Sequence, residues 1–571
     1  MSAVHSADTF PLINTPNIMN IINRIFNRSS VVLEIDRTKP LEKSRNISLI
    51  NQYVNLSEGL QNTVDDRTWK DLELDYIFSF IDRTLTKTGE QYFYRLLQKE
   101  QTNSQRELIN CIISHYSNNP DQLSKAAQIL RKYEKNSTYS LQSFLHLRRY
   151  KRVPYWIRIL SFSSFSFAFG SLFHASFILP FIAILLINTA VHYYLKTKIN
   201  LFHFEFKNIK ALYDNYLKLA KLENQDNYLS KKELAKLKVI SKKCFYLSLN
   251  IENADELSAA VYYLIEIIKA TILYDGLQFN STIKLIEENI DIIQKTSDYI
   301  GISDTSQSLY YLKNYTKGVK PSSSSDKLIN IKNAYHPLIE DCIVNSISID
   351  GTNVIITGGN MSGKTTFLKT LGINIFLAQT INYSFCDYLE IPKIKVISSI
   401  ASNDNLMQGK SYFMDELERA NIIITQIYES EQPHLILIDE IFRGTNSQDR
   451  IALAASMLLY FNYFNCIVVV TTHDLDTIDL VEGMYDTYYF DNIYQDNQVH
   501  FDFIIKRGIQ HKTNVLELIK SLNYPSIVIQ QTEKFRKIIT AHNKKAICNK
   551  GFKGNISVLP RSNLGASGQS K

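Results

Sequence analysis

Residues 357–366 read Thr-Gly-Gly-Asn-Met-Ser-Gly-Lys-Thr-Thr and follow directly on the apolar run Val354-Ile355-Ile356. Gly358 to Thr365 fits G-x-x-x-x-G-K-S/T, the loop whose glycines let backbone N–H groups surround phosphates. In that pattern Lys364 brings a cation to the β/γ-phosphates and the Thr365 hydroxyl serves as a magnesium ligand. Gly358, Gly359, Asn360, Met361, Ser362, Gly363 and Thr366 complete the loop and the first helical turn. An apolar strand before the loop and a helical stretch, Thr366 to Ala378, after it are the context such a loop needs. The sequence therefore predicts a nucleotide site that takes ATP and Mg²⁺.

Downstream, Leu435-Ile436-Leu437-Ile438 delivers Asp439-Glu440 to the tip of a second strand, and Ile467 to Thr472 forms a third that ends at His473-Asp474. Asp439 is placed to hold the metal, Glu440 to polarise the attacking water, and His473 to face the γ-phosphate. Strands alternating with helical stretches predict a parallel α/β sheet from about 327 to 530. Ahead of it, Lys320 to Asp326 (KPSSSSD) interrupts a long helical regime with Pro and four serines, which sets a domain boundary. Helical periodicity runs through Asp75–Leu97, Ala254–Ile268 and Ile283–Ile300. The fold expected is α followed by α/β: an N-terminal segment (1–74), a helical core or lever region (75–320), the P-loop ATPase domain (327–530) and a basic tail (531–571), disordered from about 544.

One stretch of the helical region is of a different character. Ile159 to Leu195 holds 37 residues without a charge, too long for one helix across a hydrocarbon layer of about 30 Å and suited to two helices turning near Gly170–Ser176. Arg148, Arg149, Lys151, Arg152 and Arg158 precede it, Lys196 and Lys198 follow it, and Trp156, Tyr193 and Tyr194 lie at its edges. That pattern predicts a two-span membrane hairpin with both termini and the ATPase domain on the cytoplasmic side. A buried helical pair in a soluble domain is the alternative, kept open by the serines and by His174 and His192. The N-terminus lacks the order of a cleaved signal, so export of the chain is not expected.

Composition bounds the rest. Hydrophobic residues at 45% and charged residues at 21% are globular values and exclude wholesale disorder. Six cysteines, none in C-x-x-C, exclude zinc ribbons and give no disulfide framework. The net charge of +7 is uneven: from Lys506 onward 13 Lys and Arg face only Glu517 and Glu533, leaving the preceding chain mildly acidic. A basic tail on an acidic body predicts an anionic partner, either DNA or anionic lipid.

TGGNMSGKTT (357–366), DEIFRGTNSQD (439–449) and TTHD (471–474) together resemble the ATPase domain of the MutS family of DNA mismatch-repair proteins. SIASNDNLMQGKSYFMDEL (399–417) is similar to the family's signature-loop segment. His336-Pro337-Leu338 resembles the start of that domain, Gly508–Ile527 its closing helical region, and 78–97 the start of the family's core. The resemblance implies a head-to-tail homodimer with composite ATP sites, in which Ser411 approaches the γ-phosphate across the interface. It also implies Asp439 as metal support, Glu440 as catalytic base, and DNA as a partner. Gly359 stands where the family usually has proline, and Ser362 where it has glycine. The 74 residues before Asp75 are too few for the family's mismatch-recognition and connector domains. An ATP-driven membrane machine of transporter type is the competing reading, although GKSYFMDE (409–416) stands where LSGGQ would be. A non-enzymatic scaffold is disfavoured by the presence of Lys364, Asp439 and Glu440.

Overall fold

A computed structural model of the chain describes residues 36–41, 43, 45–55, 61–146, 152–248, 256–324, 327–359, 361–400, 412–442, 446–495, 498–509, 516, 519–520 and 524–548. Helices come first. The order is α1 (Ile47–Asn55), α2 (Asp66–Asp71), α3 (Leu74–Ile81), α4 (Lys87–Gln98), α5 (Asn103–Asn118), α6 (Pro120–Glu134) and α7 (Ser140–Leu145). It continues with α8 (Trp156–Gly170), α9 (Ile178–Ile199), α10 (His203–Leu222), α11 (Lys231–Leu247), α12 (Glu256–Thr271), α13 (Tyr274–Glu287) and α14 (Ile290–Tyr315).

Two of the long helices expected from periodicity are broken in two. Asp75–Leu97 parts at 82–86 because short polar side chains there bond their own backbone. Asp82 Oδ1 accepts from the Thr84 N–H at 2.9 Å and from its hydroxyl at 2.6 Å, and Thr86 caps α4 by accepting from the Gly89 N–H at 2.9 Å. Ile283–Ile300 parts likewise at Glu288–Asn289, between α13 and α14. A Cβ on Gly89 would lie 2.3 Å from Asp304 Oδ2, and one on Gly301 2.5 Å from Tyr92 Cβ, so these two glycines allow α4 and α14 to pack closely. The described part of the N-terminal segment is built into this body. Buried Arg37 donates to the Arg83 carbonyl at 2.8 Å and to Gln307 Oε1 at 2.9 Å, while Lys43 and Arg45 pair with buried Asp82 at 2.9 and 3.1 Å.

Inside the KPSSSSD stretch lies β1 (Ser322–Ser323), and beyond it β2 (Leu328–Ala334), β3 (Asn345–Asp350) and β4 (Asn353–Gly358) lead into α15 (Lys364–Ile381). Then follow β5 (Tyr388–Ile391), β6 (Lys395–Ser399), α16 (Tyr412–Glu429), β7 (His434–Asp439), α17 (Ser447–Phe461), β8 (Cys466–Thr471), α18 (Leu475–Leu480), β9 (Tyr485–Gln495), β10 (Gln498–Arg507) and α19 (Ser526–Cys548). The main sheet has the order β10-β9-β4-β8-β7-β6 and is parallel except for the β9–β10 pair. The three strands expected from sequence are its centre. A second sheet, β1-β5-β2-β3, was not legible as such; its members are short and polar on one side. Helix α15 is apolar nearly all round rather than amphipathic, because it lies between the main sheet and the helical body.

Two expectations at the C-terminus are affected. Residues 544–548, read as disordered, continue α19 to Cys548, since Lys and Ala are good helix formers and no Gly or Pro occurs before Gly551. Most of 508–527 and all of 549–571 lie outside the described residues.

Helices α8 and α9 do form a hairpin, turning at 171–174. Its polarity is inverted relative to a soluble pair: Ser164, Asn188 and His192 are buried, whereas Phe162, Phe165, Leu179 and Leu186 (67% accessible) face outward. Asn188 Nδ2 donates to the Thr271 carbonyl at 2.8 Å, and Ser161 Oγ to that of Ile272 at 2.7 Å. Leu195 and Ile199 near the end of α9 are buried, whereas most large apolar side chains of the pair are uncovered within this chain. Among the described residues one helix, Ala175–Leu222, is long and apolar enough to cross a membrane, with a mean hydropathy of 1.9 in its most apolar window.

Candidate nucleotide site

The site lies at the C-terminal edges of β4, β7 and β8, where a parallel sheet with flanking helices leaves a crevice. Gly358 (φ 147°), Met361 (φ 65°) and Gly363 (φ 104°) carry the chain through the turn between β4 and α15. A Cβ on Gly358 would come within 2.9 Å of the Phe490 carbonyl and 3.0 Å of Ser362 Oγ, which explains the glycine there. Ser362 is buried with its hydroxyl unpaired, and Met361 is 85% accessible. Thr366 continues the first turn of α15, whose leading N–H groups have no intrahelical acceptor. An anion bound over this loop meets those N–H groups, the Ser362 hydroxyl and the positive end of the helix, so the loop fits a nucleotide's phosphates. Asn360 lies outside the described residues.

Lys364, nearly buried, donates to the carbonyls of Gly358 and Gly359, both at 2.9 Å, and its Nζ is 3.4 Å from His473 Nε2. Thr365 Oγ1 donates to Asp439 Oδ2 at 2.8 Å, so the hydroxyl and the carboxylate assigned to magnesium are already adjacent. An oxygen-only pair of this kind suits a hard divalent cation. Glu440 Oε1 and His473 Nε2 are 2.8 Å apart. The sequence-predicted residues of three strands thus converge within hydrogen-bond reach. Ser411 lies outside the described residues, which begin again at Tyr412.

Sequence reasoning passed over the residue that ties this arrangement together. Thr471, fully buried and opposite Asp439 in register, donates its hydroxyl to Asp439 Oδ1 at 2.6 Å and accepts the Glu440 N–H at 3.0 Å. Glu440 has φ 51°, an uncommon conformation for a non-glycine residue, and this hydrogen bond holds it there. The signal available was the first Thr of TTHD, a hydroxyl at the last strand position where an aliphatic residue is the norm. A second omission is Phe503, in the irregular part of β10: a Cβ on Gly363 would lie 3.1 Å from its Cδ1, and its ring stacks on Phe501 at 5.8 Å. It offers the loop a partly exposed aromatic face. Asp474 makes a two-point contact with Arg450 at 2.8 and 2.9 Å, which ties the loop after β8 to α17 and lifts the Arg450 pKa.

The helical body reaches the same place. Arg67 on α2 pairs with Asp415 on α16 at 3.2 Å, and Arg419 of α16 bonds the Ser398 carbonyl at 2.8 Å and Asp65 at 3.2 Å. Asp71, whose pKa burial pushes up, accepts from Ser398 Oγ and the Ile400 N–H, both at 2.8 Å. Arg67, Asp415 and Arg419 line a cleft of about 30 Å³ that opens onto Asp439 and Glu440 and is wide enough for water. The segment leading into 401–411 is therefore clamped to the helical body on its β6 side.

Residues 354–540 match the family model described as MutS domain V. Among similar curated proteins, the DNA mismatch repair protein MutS of Streptococcus uberis is 28% identical over 358 residues, covering 61% of this chain and 39% of the relative. That of Staphylococcus epidermidis is 29% identical over 273 residues, 45% of this chain and 31% of its own length. That of Staphylococcus haemolyticus is 30% identical over 254 residues, 42% and 28% respectively. The chain thus spans well under half the length of these relatives.

Proposed function

We propose, on the premise that this chain belongs to the MutS family, that it is an ATPase that couples hydrolysis to DNA binding, works as a homodimer with composite sites, and is anchored in a membrane by α8 and α9. The observation that carries the ATPase reading is the meeting of Lys364, Thr365, Asp439, Glu440 and His473 at one sheet edge. ATP phosphates are held by the 358–365 loop, with the Lys364 ammonium turning from the Gly358 and Gly359 carbonyls to the β/γ-oxygens. Thr365 and Asp439 hold Mg²⁺, which when bound neutralises charge developing on the phosphates. Glu440 accepts the proton of the attacking water, and His473 orients that carboxylate through Nε2, the ring nitrogen that also lies beside Lys364. Phe503 gives the adenine a stacking surface. Ser411 of the opposite subunit closes the site.

DNA is the partner favoured by the family and by the basic C-terminal stretch, in which Lys534, Arg536 and Lys537 lie on the exposed helix α19. The membrane reading is supported by the outward apolar side chains of α8 and α9, which lipid would cover, and by the inward Asn188 and His192, which bond the Thr271 carbonyl and Glu266. The ATPase domain and both termini are then cytoplasmic. Measuring ATP turnover of the detergent-solubilised protein with and without duplex, branched and mismatched DNA tests the proposal. Stimulation by DNA is the expected result. Turnover indifferent to every DNA, and raised only by lipid or a small solute, would transfer the protein to the transporter-type class.

A further inference from the structure

Two charges of helix α12 face inward. Glu266 and Lys269 are buried against α9 and α13, while Ile267 (62% accessible) and Ile268, and Tyr263 one turn before Ile267, are exposed. The buried side is a closed ion cluster. Glu266 Oε2 accepts from His192 Nε2 at 3.1 Å and pairs with Lys196, its Oε1 faces Lys269 Nζ at 3.5 Å, and that ammonium lies 3.3 Å from Asp275 Oδ1. His192, Glu266 and Asp275 are grouped closely enough to be weighed as metal ligands. Two ammonium groups already occupy the same carboxylates, so the cluster is balanced without a cation. A water-facing helix with this polarity pays twice, by desolvating two ion pairs at several kcal/mol per ion and by exposing its aliphatic face.

The level of α12 along the hairpin decides what covers that face. Glu266 meets α9 at His192 and Lys196, the cytoplasmic end of the uncharged stretch, and Thr271 meets it at Asn188, one turn deeper. The chain then reverses through Leu273 (φ 49°) into α13, where a Cβ on Gly276 would be 2.8 Å from Leu195 Cδ1. The α12–α13 turn therefore rises against only the lower part of the hairpin and goes no further. Leu201 and Phe204, just past the span, are also uncovered. We propose that α12, with Leu201 and Phe204, forms a collar lying in the headgroup–acyl boundary of the cytoplasmic leaflet, a third membrane-contacting element beside the two hairpin helices. The occupant of the exposed Tyr263–Ile267–Ile268 face is lipid, and the Glu266 cluster is the internal lock that turns that face outward. This inference rests on the membrane reading of α8 and α9.

The test uses the full chain in nanodiscs of phosphatidylcholine with one part in about three of phosphatidylglycerol, a proportion that supplies anionic headgroups. Cys111, Cys342 and Cys548 are replaced by serine, and one nitroxide is placed in turn by Ile267→Cys, Leu186→Cys or Tyr76→Cys, all at exposed positions. Collision with oxygen, which concentrates in lipid, is compared with collision with a water-soluble nickel chelate. The expected oxygen-to-nickel ratio is highest at 186, lowest at 76, and at 267 several-fold above that at 76. A lipid-like value at 186 with 267 matching 76 overturns the collar and leaves the hairpin standing. Water-like values at both 186 and 267 remove the membrane reading and the collar with it. Glu266→Gln in the Ile267→Cys background should lower the ratio at 267, because a neutral amide no longer locks the two lysines; an unchanged ratio would remove the cluster's role.

Discussion

Replacing Thr471 by valine keeps the side-chain shape and removes a hydroxyl that bonds the Asp439 carboxylate and the Glu440 backbone N–H at once. Two hydrogen bonds go: the one to Asp439 Oδ1 at 2.6 Å and the one accepted from the Glu440 N–H at 3.0 Å. Thr471 itself is fully buried and the valine methyl fills the place of its hydroxyl, so the variant gives up a charge-assisted bond and the acceptor of the Glu440 N–H. Together these cost about 2–4 kcal/mol of stability, which for a domain of this size lowers the melting temperature by roughly 5–15 °C. Catalysis should suffer separately. Glu440 keeps its positive φ only while its N–H is held, and relaxing it displaces the carboxylate by something near an ångström, worth about 10²-fold in turnover. ATP affinity should hold within about threefold, a change of less than 1 kcal/mol, because Lys364 and the loop do not touch Thr471. Steady-state hydrolysis, fluorescent-nucleotide titration and thermal melts on Thr471→Val and Thr471→Ser separate these effects; serine retains the hydroxyl and should stay near the parent. If valine turned over ATP at the parent rate, the claim that this hydroxyl positions Glu440 would be wrong. A fall in ATP affinity as large as the fall in turnover would instead place its action on the phosphate loop.

Four further outcomes are expected. Glu440→Gln should bind ATP normally and lose about 10²–10⁴ in turnover, since an amide cannot take the water proton; a drop under about tenfold would exclude Glu440 as the base. Lys364→Ala should weaken nucleotide binding itself, read by equilibrium titration, and an unchanged affinity would sink the assignment of the loop. Deleting 159–195 and joining the flanks through a short polar linker should move the protein from the membrane to the soluble fraction with ATP turnover retained, whereas an intact chain already soluble without detergent would contradict the anchor. Neutralising Lys534, Arg536, Lys537, Lys544 and Lys545 should lower DNA affinity alike for every sequence and flatten its salt dependence by roughly one unit of log-log slope for each phosphate no longer neutralised. Abolished anionic-vesicle binding with the DNA slope unchanged would assign these residues to lipid instead.

What could be read from sequence follows a physical division. The 358–365 loop, the strand tips at Asp439 and Thr471, and the hairpin are local patterns: a fixed spacing of glycines, an apolar run ending in carboxylates, a stretch without charge. Each is set by residues close together in the chain, and each was legible. The helix breaks at 82–86 and 288–289 were not, because apolar periodicity continues across them while Asp82, Thr84 and Thr86 capture the backbone locally. The second sheet was illegible for a different reason: β1 and β5 are two and four residues long, and their pairing joins positions about 70 apart.

The same distinction explains why Lys364, Asp439 and Glu440 were found and Thr471, Arg67 and Arg419 were not. The first three are the groups to which the proposed chemistry is assigned, and their residue types in those positions suggest it. The others act through a neighbour: Thr471 by bridging two strand ends in register, Arg67 and Arg419 by joining α2 to α16 across more than 300 residues of chain. Their placement has a mechanical consequence. Helix α2 bonds both β6 and α16, so a displacement of α2 is carried to both elements. At the other end of that body, α13 touches the hairpin through Gly276 and Leu195. One helical frame therefore touches the hairpin at one place and meets the nucleotide site at another, through the Arg67–Asp415 and Arg419–Asp65 pairs.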